Sequence, residues 1–271
     1  MNKESNEIHD LQKLPTYNYK HQEIKIENSG ELIYGVAYIP ENEKGHFPLV
    51  IFSHGLGDSY ISNLPYFELL AKHGIATYSF DFRGGGGDKS NGDTTKMSVM
   101  TEVSDLEKVL SASKKWNFVD KNSIVLIGHS QGGIVTAIVA ARHKDEISGA
   151  VLLSPAFSLT DEIHKMFHSL SEVPEKFHFL YINAGRIYAE DIWNYDLYSE
   201  IDKYDKKILL IHGNMDDLVP ITFSEKALKI YKDAELAVIQ GAGHEFKGYE
   251  IQKAIVHVFD YLMKIGIIEK M

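Results

Sequence analysis

The sequence predicts an α/β fold: a mostly parallel, eight-stranded sheet with helices on both faces and one long insertion. Three observations predict it. Unbroken apolar runs recur at residues 48–53 (PLVIFS), 123–128 (SIVLIG), 149–154 (GAVLLS) and 207–212 (KILLIH), as in strands buried on both faces. Segments with apolar residues at helical spacing lie between most of them, and that alternation implies parallel strands joined by crossover helices. An alternating pair of strands opens the chain before this regular part begins.

In chain order, residues 1–22 are polar and irregular and are expected to form a loose arm. Residues 23–28 alternate as EIKIEN, residues 31–39 read ELIYGVAYI, and Ser29–Gly30 between them reads as a hairpin turn. Pro40 is expected to end the second strand. After the strand at 48–53 come a helix at 64–73 closed by Gly74 and a strand at 75–80. Val99, Val103, Leu106 and Leu110 then repeat at helical spacing up to Trp116. The strands at 123–128, 149–154, 207–212 and 235–240 follow, with helices at 131–143, 221–231 and 247–264. Ligands of such sheets sit at the carboxyl ends of the strands.

One segment breaks the alternation. Residues 156–205 hold ten of the chain's 30 aromatics, in a stretch too long for a simple crossover. A long insertion in a compact domain is usually a lid or binding element; the plainer reading is an extra helical layer with its own small core. The domain organisation is therefore an arm at 1–22, a core at 23–155 and 206–271, and a lid at 156–205, a minority of whose aromatics line a ligand pocket.

Composition limits the function. The chain has 271 residues, and 38 acidic against 28 basic residues give a net charge of -10. Nucleic-acid binding needs a cationic face for the phosphates, so it is not expected. The absence of cysteine excludes thiolate metal sites, cysteine nucleophiles and disulfides. The N-terminal segment has no apolar core of signal-peptide type, and no apolar run approaches membrane-span length; a soluble cytoplasmic monomer or homodimer is expected. Residues 84–90 (GGGGDKS) resemble a phosphate loop, but Asp88 stands where glycine must precede the lysine, so a flexible surface loop is expected. His164 and His168 have a metal-ligand spacing, yet Lys165 occupies the place of the glutamate and no third ligand is evident. Neither a metal nor a cofactor is expected.

The most specific signal is Gly128-His129-Ser130-Gln131-Gly132, a G-x-S-x-G pentapeptide between the strand at 123–128 and the helix at 131–143. A sharp strand-to-helix turn exposes the serine hydroxyl, and the helix that starts there favours a developing anion. Serine needs a base to take its proton. His244, among glycines just after the last strand, is the candidate base. Asp216, in the loop after the strand at 207–212, is the candidate acid in preference to its neighbour Asp217, which is expected to cap a helix or face water. The chain order Ser, Asp, His is the one this turn demands. An oxyanion needs two backbone N–H donors, for which Gln131 and Leu56, in the loop His54-Gly55-Leu56-Gly57-Asp58, are the candidates. His54 is expected to brace that loop.

With these residues the chain resembles the α/β-hydrolase superfamily over about residues 23–264. Within it the chain is similar to small bacterial esterases related to cinnamoyl (feruloyl) esterases. The motifs are HGLGD at 54–58, FDFRGGGGDKS at 80–90, GHSQGG at 128–133, LLSPAF at 152–157, IHGNMDDLVP at 211–220 and GAGHEF at 241–246. The resemblance implies an α/β-hydrolase fold with a catalytic Ser130, Asp216 and His244 and an oxyanion hole at Leu56 and Gln131. It also implies a small-molecule ester substrate whose aromatic acyl group lies under the lid. RGGGGDKS departs from the RGHG or NGHG of relatives. Lipase-like, thioesterase-like and serine-peptidase-like relatives fit the same residues, and a short-chain carboxylesterase remains the alternative; a non-catalytic binding protein would have a broken triad.

Overall fold

A computed structural model of the chain describes residues 13–43 and 45–269. Eight strands form one sheet: β1 (Asn18–Asn28), β2 (Glu31–Glu41), β3 (Phe47–Ser53), β4 (Ala76–Phe80), β5 (Val119–His129), β6 (Gly149–Leu153), β9 (Ile208–Gly213) and β10 (Ala234–Ile239). Their order across the sheet is β1-β2-β4-β3-β5-β6-β9-β10, and only β2 runs against the others. The helices are α1 (Leu64–Lys72), α2 (Val99–Ser113), α3 (Gln131–Arg142), α4 (Leu159–Met166), α5 (Ile187–Glu190), α6 (Leu197–Ile201), α7 (Thr222–Ile230) and α8 (Tyr249–Lys264).

Strand alternation divides the interior into two cores. Leu49, Ile51, Leu126, Leu152 and Leu210 face one side, where Val103 and Leu106 of α2 and Val135 and Ile138 of α3 cover them. Val50, Phe52, Val125, Ile127 and Ile211 face the other, beneath Phe67 and Leu70 of α1 and Phe259 and Leu262 of α8. Each such side chain contributes about 2 kcal/mol on burial, and that two-sided burial explains the apolar runs. The chain reverses direction across the sheet between β3 and β5, so the loops after these strands open side by side. This is where an α/β sheet makes a crevice.

Several expectations are corrected. Of the arm expected over 1–22, residues 1–12 lie outside those described, and β1 begins at Asn18. Residues 18–22 lack aliphatic alternation, but as an edge strand they pair along β2 up to Asn18–Glu41, and Tyr19 and His21 meet the Tyr38 ring. Pro40 does not end β2; it lies beyond Tyr38, the last residue that pairs with β4, and faces Tyr19. The segment 156–205 is not an added helical layer with a separate core. It contains α4, a hairpin of β7 (Lys176–Phe179) and β8 (Ile182–Gly185), then α5 and α6. Its Phe157, Phe177, Tyr188 and Tyr204 join the main core. Ser98 ties it down: the hydroxyl caps α2 by accepting from the Thr101 N–H and donates to Asp191. Among the described residues no helix is long and apolar enough to cross a membrane.

Candidate active site

Ser130 is the residue between β5 and α3, with φ 54° and ψ -119°. A non-glycine side chain in left-handed backbone costs about 1–2 kcal/mol, so neighbours must hold it. Its N–H donates to the Leu153 carbonyl on β6 (2.9 Å), and its own carbonyl accepts from Gly133 (2.9 Å) and Ala156 (3.0 Å). A β-carbon on Gly128 would stand 2.1 Å from the Gly132 carbonyl oxygen; the pentapeptide's glycines are where strand and helix touch.

His244 lies in the loop after β10. Its Nε2 is 2.8 Å from Ser130 Oγ, and its Nδ1 is 2.8 Å from Asp216 Oδ2. The carboxylate fixes the proton on Nδ1 and leaves Nε2 to accept from the serine hydroxyl. Asp216 follows β9 with every lone-pair direction used. Oδ2 also accepts from His212 Nε2 (3.0 Å), and Oδ1 accepts from the N–H groups of Leu218 (3.0 Å) and Val219 (2.8 Å). Burial pushes the carboxyl's pKa up, but the bonds from His212, His244 and Val219 outweigh it and hold it well below the usual carboxylate range. Asp217 is exposed.

His212 was not singled out by the sequence, because at the end of an apolar run it reads as strand. Its Nε2 faces two acceptors, Asp216 Oδ2 and the Val219 carbonyl (2.9 Å), so that nitrogen carries the proton, and Ser224 Oγ lies 2.8 Å from Nδ1. The signal available was its position four residues before Asp216.

Leu56 and Gln131 line one pocket with Ser130, and neither backbone N–H has an acceptor among the described residues. The Leu56 loop is braced from beneath. His54 donates from Nδ1 to the Gly55 carbonyl (2.7 Å) and accepts the Phe82 N–H at Nε2 (3.0 Å); burial lowers its pKa and keeps it neutral. The glycine run at 84–87 is not a free surface loop. Gly57 N–H donates to the Gly85 carbonyl (3.0 Å), and a β-carbon on Gly86 would lie 2.4 Å from the Gly57 carbonyl carbon. The run fits under the loop because it has no side chains.

The pocket has a volume of about 80 Å³ and is closed by Ala156, Ser158, Leu159, Glu162, Phe179, Leu180, Tyr181, Tyr188, Leu218 and Val219. Of the ten aromatics in 156–205, Phe179, Tyr181 and Tyr188 line it. Tyr188 Oη donates to Gln131 Oε1 (2.5 Å), and Gln131 Nε2 donates to Glu102 Oε2 (2.8 Å). The Gln131 side chain is thus held from both ends, and burial pushes the pKa of the Glu102 carboxyl well above its ordinary value. An open groove of about 730 Å³ lies outside, between Asp93–Thr95 and the β7–β8 hairpin, and shares Tyr181 with the inner pocket. The structure does not bring His164 and His168 together as a ligand pair: His164 Nε2 bonds the Trp193 carbonyl (3.0 Å), and the His168 N–H donates to the Glu172 carboxylate.

The parallel sheet with this serine turn at its crevice defines an α/β hydrolase. Residues 45–186, just over half of the chain, match the model of the serine aminopeptidase S33 family, and the chain belongs to that family. It is 31% identical over 120 residues to "Putative esterase/lipase 2" of Mycoplasma pneumoniae, which covers 44% of this chain and 41% of that protein. The Mycoplasma genitalium protein of the same name is 31% identical over 129 residues and is matched over 44% of its length. The chain therefore spans less than half the length of these relatives. Among solved structures, Est1E from Butyrivibrio proteoclasticus with ferulic acid bound has a TM-score of 0.80 at 25% identity, covering 89% of this chain and 99% of that one.

Proposed function

We propose that the chain is a serine carboxylic ester hydrolase working through an acyl-enzyme on small esters, with hydroxycinnamoyl or other aromatic or medium apolar acyl groups. The observation that carries this reading is the unbroken contact line Ser130 Oγ to His244 to Asp216, 2.8 Å at each step. Ser130 attacks the ester carbonyl while His244 Nε2 takes its proton. The amides of Leu56 and Gln131 receive the oxyanion, each contributing about 3 kcal/mol. His244 returns the proton to the departing alcohol, then deprotonates the water that releases the acid. Asp216 stays ionised throughout and stabilises the imidazolium.

Residues 156–205 act as the lid over this core of 23–155 and 206–271. Phe179, Tyr181 and Tyr188 offer flat apolar faces that suit an aromatic acyl group, and the ferulic acid in Est1E supports that preference. The leaving alcohol lies toward the outer groove. Peptide hydrolysis is the second reading, favoured by the family's name and by Glu162, the carboxylate that lines the pocket and would face a free amine.

Steady-state hydrolysis of methyl ferulate and methyl p-coumarate against nitrophenyl acetate, butyrate and octanoate tests this, with aminoacyl nitroanilides for the second reading. The expected outcome is a higher kcat/KM on the hydroxycinnamates and a loss of at least about 10⁴-fold in Ser130→Ala. Most activity surviving in a folded Ser130→Ala would overturn the mechanism. Turnover of short aliphatic esters alone would leave a general carboxylesterase.

A further inference from the structure

Beside the serine, three side chains that belong to different parts of the loops converge. They are His129 from the end of β5, His244, and Glu245 next to it. One ligand-capable atom from each lies within 4.8 Å of the other two. His129 is 5% exposed, so its imidazole has lost most of its access to water. Its Nε2 has only long contacts, 3.4 Å to the His244 carbonyl and 3.9 Å to Glu245 Oε1. Glu245 is the opposite case, with a side chain 59% exposed and free to swing.

We propose that His129, His244 and Glu245 form a chelating site for a Zn²⁺-class divalent ion, and that the ion stops turnover by occupying His244. This rests on the ester-hydrolase reading for its consequence, but not for the binding itself.

The donor set is two imidazoles and one carboxylate, with remaining positions open to water. It matches the ligand types of open zinc sites, where three protein groups bind at about 2.1 Å. In tetrahedral geometry such ligands stand about 3.4 Å apart. His129 sits at the end of β5 and His244 in the loop after β10, and the closing movement falls to the exposed Glu245 side chain. His244 Nδ1 keeps its proton and its bond to Asp216, so the nitrogen available to the ion is Nε2. That is the lone pair which otherwise accepts the Ser130 hydroxyl proton. Ion and serine compete for one atom, and the nucleophile is left without its base.

The surroundings favour a cation. Asp58 stands on the far side of His129: its Oδ2 and the His129 Nδ1 both come within 3.3 Å of where a Gly55 β-carbon would be. The Asp58 charge favours positive charge at the His129 imidazole. Asp58 and Glu245 together give the mouth a negative potential, on a chain whose net charge is already -10.

The test separates binding from catalysis. Titration calorimetry of ZnCl₂ into Ser130→Ala reads the site with the nucleophile removed. One ion per chain is expected, and adding Glu245→Gln or His129→Asn should weaken binding by tenfold or more. Glu245→Gln changes an exposed side chain and keeps the test alive if His129→Asn fails to fold. In parallel, ester hydrolysis by the otherwise unaltered chain should fall over the same Zn²⁺ range and return with EDTA. The half-inhibiting concentration should rise tenfold in Glu245→Gln, measured against that variant's own uninhibited rate. No heat of binding up to about 1 mM ZnCl₂, or equal affinities in all variants, would sink the proposal. A chain that binds the ion as expected but hydrolyses no ester would sink only the proposed function.

Discussion

At the residue scale the site turns on how Asp216 is held. Four hydrogen bonds saturate its carboxylate, and one comes from His212, which touches neither Ser130 nor the pocket. His212 is therefore a positioning residue. In His212→Phe the buried carboxylate loses a charge-assisted bond, and stability should fall by at least about 2 kcal/mol. The Asp216 carboxyl would also become less acidic. A depressed folded-state pKa stabilises above the unfolded carboxylate range and that stability is lost as pH falls through the folded value, so the variant's acid unfolding should begin at higher pH. Activity should show a lower kcat with KM nearly unchanged, because the pocket keeps its lining. A change in KM alone, with the acid transition unmoved, would place His212 elsewhere in the chemistry. Ser130, Asp216 and His244 were legible in the sequence because each follows a recognisable strand within a short loop. His212 and the Glu102–Gln131–Tyr188 chain were not. His212 is hidden at the end of an apolar strand run, four residues from its partner Asp216, and the chain from Glu102 to Tyr188 rests on contacts across 29 and 57 residues, which no local pattern encodes.

At the element scale, α2 carries a buried acid into the underside of the turn that follows Ser130. Glu102 is 1% exposed and accepts one bond, from Gln131 Nε2, while its Oε1 has no partner among the described residues. Its pKa is raised by burial, so its neutral form suits the fold. The stability it contributes is complete below the unfolded glutamate range and is lost as pH rises toward the folded value. Glu102→Gln, which mimics the neutral acid, should therefore gain in melting temperature relative to the unaltered chain as pH rises from about 5 to about 9. Melting curves across that range check it; parallel curves would mean the carboxyl titrates as an ordinary one. The central strands β3, β4, β6 and β9 were readable because burial on both faces writes continuous apolar runs, and the β1–β2 hairpin from alternation around Ser29–Gly30. The β7–β8 hairpin was less so, although its KFHF does alternate, with Phe177 and Phe179 buried and Lys176 and His178 exposed. Four residues are too few for a period to stand out beside helical neighbours. The start of β1 was missed for a different reason: an edge strand gains its place from backbone pairing with β2, and polar residues serve that as well as apolar ones.

At the scale of the whole molecule, the proposed ester-hydrolase reading predicts that charge bears on which esters reach Ser130. The net charge of -10 surrounds a mouth where Asp58 and Glu245 both act on the buried His129. The pocket itself is lined largely by apolar and uncharged groups, with Glu162 its only carboxylate among the described lining residues. On that reading an ester bearing its own carboxylate should meet repulsion at a distance and again inside, and a neutral ester neither. Such long-range effects fade once the Debye length, about 10 Å at 0.1 M salt, falls below the separation of the charges. Two nitrophenyl esters of equal acyl length make the comparison, one ending in a methyl group and one in a carboxylate. For the neutral ester, kcat/KM should stay flat as salt rises from about 10 mM to about 200 mM. For the anionic ester it should start lower and climb severalfold, because screening removes the repulsion that limits its approach. Equal salt responses would mean that the mouth's carboxylates are already neutralised by partners. The field would then play no part in selection, and discrimination would rest on the shape of the pocket alone.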